Sequence, residues 1–161
     1  MRLYVLRHGD AVESPYYHDS QRPLSDRGRE QIKAVVRFLK RSRASLDLIL
    51  TSPLHRARET AEIVQQNMGI HDLMTTESLI SGSNLRDLII VVNDHPVECL
   101  LLVGHEPQLS SAISLLTAGD EQFRLEMRKG SLACLETKHP VKKGQAVLSW
   151  LLGVEQMELL R

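Results

Sequence analysis

The sequence predicts a three-layer α/β/α sandwich, with a mostly parallel central sheet that ends in an antiparallel strand pair. Three observations carry this expectation. Short apolar runs at 3–6 and 99–103, and a largely apolar segment at 46–51, read as buried strands. Segments with a helical apolar period alternate with these runs, the arrangement that gives parallel strands under covering helices. Two further apolar runs, 131–137 and 146–152, come after the last of these helices and read as an antiparallel pair.

The elements follow in order along a chain of 161 residues, read as one domain over 1–161. The first run, from Leu3 to Leu6, leads into Arg7-His8-Gly9, a strand opening onto a loop. Residues 10–23 are polar, contain Pro15 and Pro23, and read as loop. Ser25 is placed to cap a helix whose Ile32, Val35, Val36 and Leu39 form one apolar face. After the second run, Ser52-Pro53 reads as a capping residue and a proline at the first helical position. Leu54, Ala57, Ala61, Val64 and Met68 continue that helix, with Gly69 as its stop. Leu85, Leu88, Ile89 and Val92 mark a third helix, ended by His95-Pro96. The run at 99–103 passes through Gly104-His105-Glu106-Pro107 into a fourth helix with Leu109, Ala112, Ile113 and Leu116, closed by Gly119. The last residues read as a short terminal helix.

Composition narrows the function classes. The chain is 42% hydrophobic and 25% charged, ordinary for a globular protein. Its 20 basic and 20 acidic side chains cancel, whereas a protein that binds nucleic acid draws its affinity from a basic excess. No stretch approaches the ~20 apolar residues of a membrane span, and the N-terminal run is too short for a signal peptide. The expectation is a cytoplasmic protein that binds neither nucleic acid nor membrane. Cys99 and Cys134 lie in apolar runs and read as free, buried thiols. Their spacing resembles no zinc site, so neither metal nor cofactor is expected.

In an α/β sheet, ligands bind beyond the carboxyl ends of the strands. The residues there form a set: Arg7, His8 and Gly9 after the first strand, Ser52 and Arg56 after the second, Gly104, His105 and Glu106 after the third. Two arginines, two histidines and two helix N-termini around one cleft describe a site for a dianion, and phosphate is the natural one. Arginine presents a planar fork that grips two phosphate oxygens at once. His8, held at a strand end, is the candidate nucleophile, with its second ring nitrogen donating to a backbone carbonyl and nearby arginines keeping it neutral. Arg7, Arg56 and His105 would stabilise the transferring group. Gly9 would let phosphate and backbone approach closely.

These residues fall into motifs that resemble the histidine phosphatase superfamily, the phosphoglycerate mutase-like fold, and within it the SixA-type phosphohistidine phosphatases. The motifs are Arg7-His8-Gly9; Pro23-Leu24-Ser25-Asp26-Arg27-Gly28; Ser52-Pro53-Leu54-His55-Arg56-Ala57-Arg58-Glu59-Thr60-Ala61; and Gly104-His105. The resemblance implies a phosphohistidine intermediate on His8, with phosphate held by Arg7, Arg56 and His105. It also implies a substrate contact by Arg22, from Asp19-Ser20-Gln21-Arg22. Larger relatives insert helices that enclose the substrate and supply a proton donor, but the connection from Gly69 to Leu85 is short. An open site suits a phosphorylated protein, such as a histidine phosphotransfer domain.

An ester substrate needs a proton donor, whereas an imidazole leaving group is less demanding. Glu106 ranks first for that role, ahead of Glu77 and Asp10, although a carboxylate at a helix N-terminus is also simply favoured by the dipole. Three other readings stay open. One is a phosphatase of small phosphomonoesters. Another is a metal hydrolase built on His8, His105 and carboxylates, against which two arginines in the cleft argue. The third is a non-catalytic phosphate-binding module.

Overall fold

The computed structural model describes residues 1–160. Eleven regular elements alternate along it: β1 (Arg2–Arg7), α1 (Asp26–Arg41), β2 (Leu48–Thr51), α2 (His55–Met68), β3 (Asp72–Thr75), α3 (Leu85–Asn93), β4 (Cys99–Gly104), α4 (Gln108–Ala118), β5 (Leu132–Glu136), β6 (Val147–Leu152) and α5 (Val154–Leu159). The strands form one sheet in the order β3-β2-β4-β1-β5-β6. The first four in that order are parallel, and β5 runs antiparallel to both its neighbours, β1 and β6. The expected architecture is present.

The continuous apolar strands are explained by burial on both faces. Leu3 and Val5 of β1 point to one side, with Leu100 and Leu102 of β4, and pack against Leu88 of α3 and Ile113 of α4. Tyr4 and Leu6 point to the other, with Leu101 and Val103, and pack against Val35 and Leu39 of α1 and Ala61 of α2. Alternate side chains of the same strand thus feed two cores. Cys99 and Cys134 are both free thiols; Cys134 is buried as expected, whereas Cys99, at the start of β4, is only half-buried.

Three details depart from the expectation. β3 was not foreseen, because Asp72–Thr75 is a mostly exposed edge strand with no apolar run, placed by pairing with β2. The loop at 10–23 contains a single 3-10 turn, Asp19–Gln21, and Ala11 bridges Leu24. Ser52 does not cap α2, and Pro53 is not its first residue: the helix begins at His55, with Leu54 at the N-cap and no side-chain cap. The expected stop at Gly69 is present, in the left-handed conformation at φ 69°.

The first turn of α1 is pressed against the loop that follows β1. Ser25 caps α1 by accepting from the Gly28 N–H at 3.0 Å. A Cβ at Gly9 would lie 2.7 Å from the Gly28 carbonyl oxygen, and a Cβ at Gly28 would overlap the carbonyl oxygen of Asp10. Alanine in place of a helical glycine ordinarily stabilises by up to ~1 kcal/mol. Here the sign is expected to reverse: Gly28→Ala should cost about 1–3 kcal/mol through overpacking, as read from urea unfolding. An unchanged or raised midpoint would show that the two backbones can part freely.

Candidate active site

Three neighbouring strands end in register at one edge. Arg7 of β1 pairs with Gly104 of β4, and Thr51 of β2 pairs with Val103. The ladder continues one step further: the His8 N–H donates to the Gly104 carbonyl at 3.1 Å and the Ser52 N–H to the Val103 carbonyl at 2.9 Å. His8, Ser52 and His105 are thereby set side by side by backbone bonds alone. The His8 and His105 rings lie 4.9 Å apart, centre to centre.

His8 is fixed at both ends of its peptide and at its ring. Nδ1 lies 2.6 Å from the Gly9 carbonyl oxygen, so Nδ1 carries the proton and donates, leaving the lone pair on Nε2. The Gly9 N–H donates to Thr60 Oγ1 at 3.2 Å, and Thr60 donates in turn to the Arg56 carbonyl at 2.8 Å. Burial pushes the His8 pKa down to about 3, aided by His105, Arg56 and Arg7 and opposed by the bond to Gly9. The cause differs in emphasis from the sequence expectation: desolvation, ahead of the arginines, keeps the imidazole neutral. The pKa of His105 falls to about 4 for the same first reason, with Arg56 next.

Ser52 is drawn away from helix capping by His105, whose Nε2 lies 2.8 Å from Ser52 Oγ. The same oxygen accepts the Leu54 N–H at 3.3 Å. Among the described residues, three buried side-chain nitrogens lack any hydrogen-bond partner: Arg7 Nε, Arg56 Nε and His105 Nδ1. Buried polar groups are rarely left unpaired. All three belong to the residues expected to grip phosphate.

The arginines are oriented by the chain itself. Arg7 donates from one terminal nitrogen to the Met127 carbonyl at 2.7 Å. Arg56, 7% exposed, donates to the Asp19 carbonyl at 2.7 Å and to the Asp19 carboxylate at 3.1 Å. Arg22 meets the other oxygen of that carboxylate at 3.1 Å. Burial would raise the Asp19 pKa, but Arg56 and Arg22 outweigh it and hold the carboxyl below its usual range. A cavity of about 670 Å³ starts at Arg7 and Asp10 and continues between Arg27, Gln31, Arg128 and Lys129, beside the histidines rather than over them.

Other expected residues have framework contacts. Gly9 spends its N–H on Thr60, and its lack of a side chain is required by α1. A Cβ on Gly104 would come within 3.1 Å of Leu79 and Leu109. Glu106 Oε1 accepts the Ser110 N–H at 3.0 Å, in the first turn of α4. Glu77 is exposed on the turn after β3. Asp10 is unsuited to store a proton: Lys129 Nζ lies 2.6 Å from one oxygen and Ser25 Oγ 2.7 Å from the other. Burial opposes these partners, yet they keep the Asp10 pKa below the ordinary value. Thr60 and Asp19 were missed as site residues. Thr60 lies one helical turn after Arg56, on the same face as Ala57 and Ala61, and that spacing was the available signal.

The fold and the converging strand ends define an α/β protein with a buried, neutral histidine pair set beside Arg7 and Arg56. Residues 3–81 match the histidine phosphatase superfamily, branch 1. The chain is 32% identical over 142 residues to an uncharacterised protein of Picosynechococcus, covering 85% of this chain and 86% of that one. It is 25% identical over 126 residues to the phosphohistidine phosphatase SixA of Escherichia coli, covering 74% and 76%. The solved structure of the protein histidine phosphatase SixA complexed with tungstate superposes with a TM-score of 0.88, at 20% identity, over 98% of this chain and 99% of that one. The chain belongs to the histidine phosphatase superfamily. Its fold is the phosphoglycerate mutase-like fold of SixA, and membership supports phosphatase activity.

Proposed function

We propose that the protein removes phosphoryl groups from phosphohistidine on a protein, through a phosphohistidine intermediate on His8. The observation that carries this reading is the state of His8: buried, neutral, with Nδ1 committed to the Gly9 carbonyl and Nε2 left as the nucleophilic nitrogen. In the first step Nε2 attacks phosphorus, and the P–N bond to the substrate imidazole breaks as that imidazole takes up a proton. In the second, water attacks the phosphoenzyme, giving up its proton as the bond to Nε2 breaks, and inorganic phosphate leaves. Arg7, Arg56, Arg22 and His105 act on the phosphoryl oxygens. His105 does so as a neutral donor, because its Nε2 partner Ser52 can supply a proton and leave Nδ1–H free. The reaction needs no cofactor.

The substrate class follows from the weakness of the proton donor. Asp10 is ion-paired and Glu106 holds a helix N–H. An imidazole protonated before it departs asks less of such a site than an alkoxide does. The SixA structure that shares this fold is a complex with tungstate, a phosphate analogue, and this supports reading the pocket as a phosphate site. A phosphorylated protein, such as a histidine phosphotransfer domain, is the partner this reading implies, acting in the cytoplasm. No helix among the described residues is long and apolar enough to cross a membrane.

A metal hydrolase would need a cluster of ligands, and no group of three or more His, Cys, Asp or Glu side chains able to hold an ion is found among the described residues. The test is phosphate release in excess chelator from a histidine-phosphorylated carrier protein and from para-nitrophenyl phosphate. The expected result is turnover of the carrier at least ~10-fold faster, undiminished by chelator. Preference for the small ester would place the protein with phosphomonoesterases, with Glu106 as the first residue to test for proton donation. Activity lost to chelator would restore the metal reading, and phosphate binding without turnover of either substrate would define a binding module.

A further inference from the structure

We infer that Asp19 is an internal counter-anion that competes with the substrate's phosphoryl group for Arg56 and Arg22, and so sets the affinity of the site for phosphate. This rests on the phosphate-site reading above. Asp19 presents three oxygens to two arginines. Its main-chain carbonyl accepts from Arg56 Nη1 at 2.7 Å, its Oδ2 from Arg56 Nη2 at 3.1 Å, and its Oδ1 from Arg22 Nε at 3.1 Å. Arginine forks that recognise phosphate bidentately are thus already closed on an anion of the chain's own.

The contact is built to be given up. The Asp19 side chain is 69% exposed although its partner Arg56 is 8% exposed, so the carboxylate sits at the mouth and reaches inward. The turn Asp19–Gln21 buries no residue. Moving it outward disturbs neither core. The carboxylate also answers only part of what the site offers, because Arg56 Nε, Arg7 Nε and His105 Nδ1 stay unpaired with Asp19 in place. A phosphoryl dianion carries more charge and more acceptor oxygens than a carboxylate. It replaces Asp19 with a gain, while the returning carboxylate lowers the hold on the phosphate product.

A purely positioning role predicts the opposite sign, which makes the test decisive. Inorganic phosphate and tungstate are titrated calorimetrically into the wild type and Asp19→Asn at low ionic strength. Asparagine keeps the main-chain carbonyl that holds Arg56 and removes the competing charge. The expected result is binding about 5- to 10-fold tighter in the variant, narrowing as salt is added. Asp19→Ala is expected to shift affinity in the same direction, and equal thermal midpoints would show that neither change acts through unfolding. Wild-type binding that is unchanged or weakened by Asp19→Asn overturns this inference alone. No binding of either anion by wild type or variant overturns it together with the phosphate-site reading.

Discussion

His8→Ala is expected to slow phosphate release from a histidine-phosphorylated carrier at least ~10³-fold, the scale on which removal of a covalent nucleophile is felt. The same protein is expected to bind inorganic phosphate within a few-fold of wild type. The separation arises because His8 and the anion grip hang on different parts of the fold. Arg56 is positioned by α2 and Asp19, Arg7 by the Met127 carbonyl, and His105 by Ser52. None of these contacts passes through the His8 ring. Truncation removes the nucleophilic nitrogen and the bond to the Gly9 carbonyl while the cations remain. Retained turnover would move the covalent step to another group, His105 first. Joint loss of turnover and phosphate binding would mean that the imidazole itself carries the grip.

The second large effect is on acid stability. His8 and His105 have folded pKa values of about 3 and about 4, against ~6.5 in an unfolded chain. Below pH ~6.5 the unfolded state therefore binds protons that the folded state refuses, so unfolding becomes easier as pH falls. The stabilising neutrality is fully present above the unfolded value and is lost progressively as pH falls from ~6.5 to about 4 for His105 and about 3 for His8. With both rings contributing, the loss between pH 7 and pH 5 is on the order of 3 kcal/mol. Asp10 and Asp19, held below their usual pKa, add to the loss only at lower pH. Urea unfolding in phosphate-free buffer at the two pH values measures this. His105→Gln, which keeps a polar partner for Ser52, should remove about half of the difference. A flat profile would mean that the two rings titrate normally and that His8 is not held neutral by burial.

Much of this was legible in the chain because it depends on local rules. A strand buried on both faces must be apolar at every position, so β1, β2 and β4 could be read from Leu3–Leu6 and the runs ending at Thr51 and Val103. A parallel sheet gathers its carboxyl ends, so Arg7, His8, Ser52, Arg56, Gly104 and His105 could be assigned to one place before any contact was known. β3 could not be read, because Asp72–Thr75 has no buried face and takes its conformation from β2. The role of Ser52 was misread for a related reason. Ser-Pro before a helix is a capping pattern, and only the neighbouring strand brings His105 to its hydroxyl.

The layers, the sheet's direction and the residues gathered at its ligand end could thus be read from the chain, since periodicity and burial patterns act within a few residues. Which atoms meet depends on how the elements pack. That packing placed Asp19 between Arg56 and Arg22, locked His8 Nδ1 on Gly9, paired Asp10 with Lys129 and left three buried nitrogens unanswered. Those outcomes join residues as far as 119 positions apart. They are set by how desolvated charges find partners in three dimensions, which no local pattern encodes.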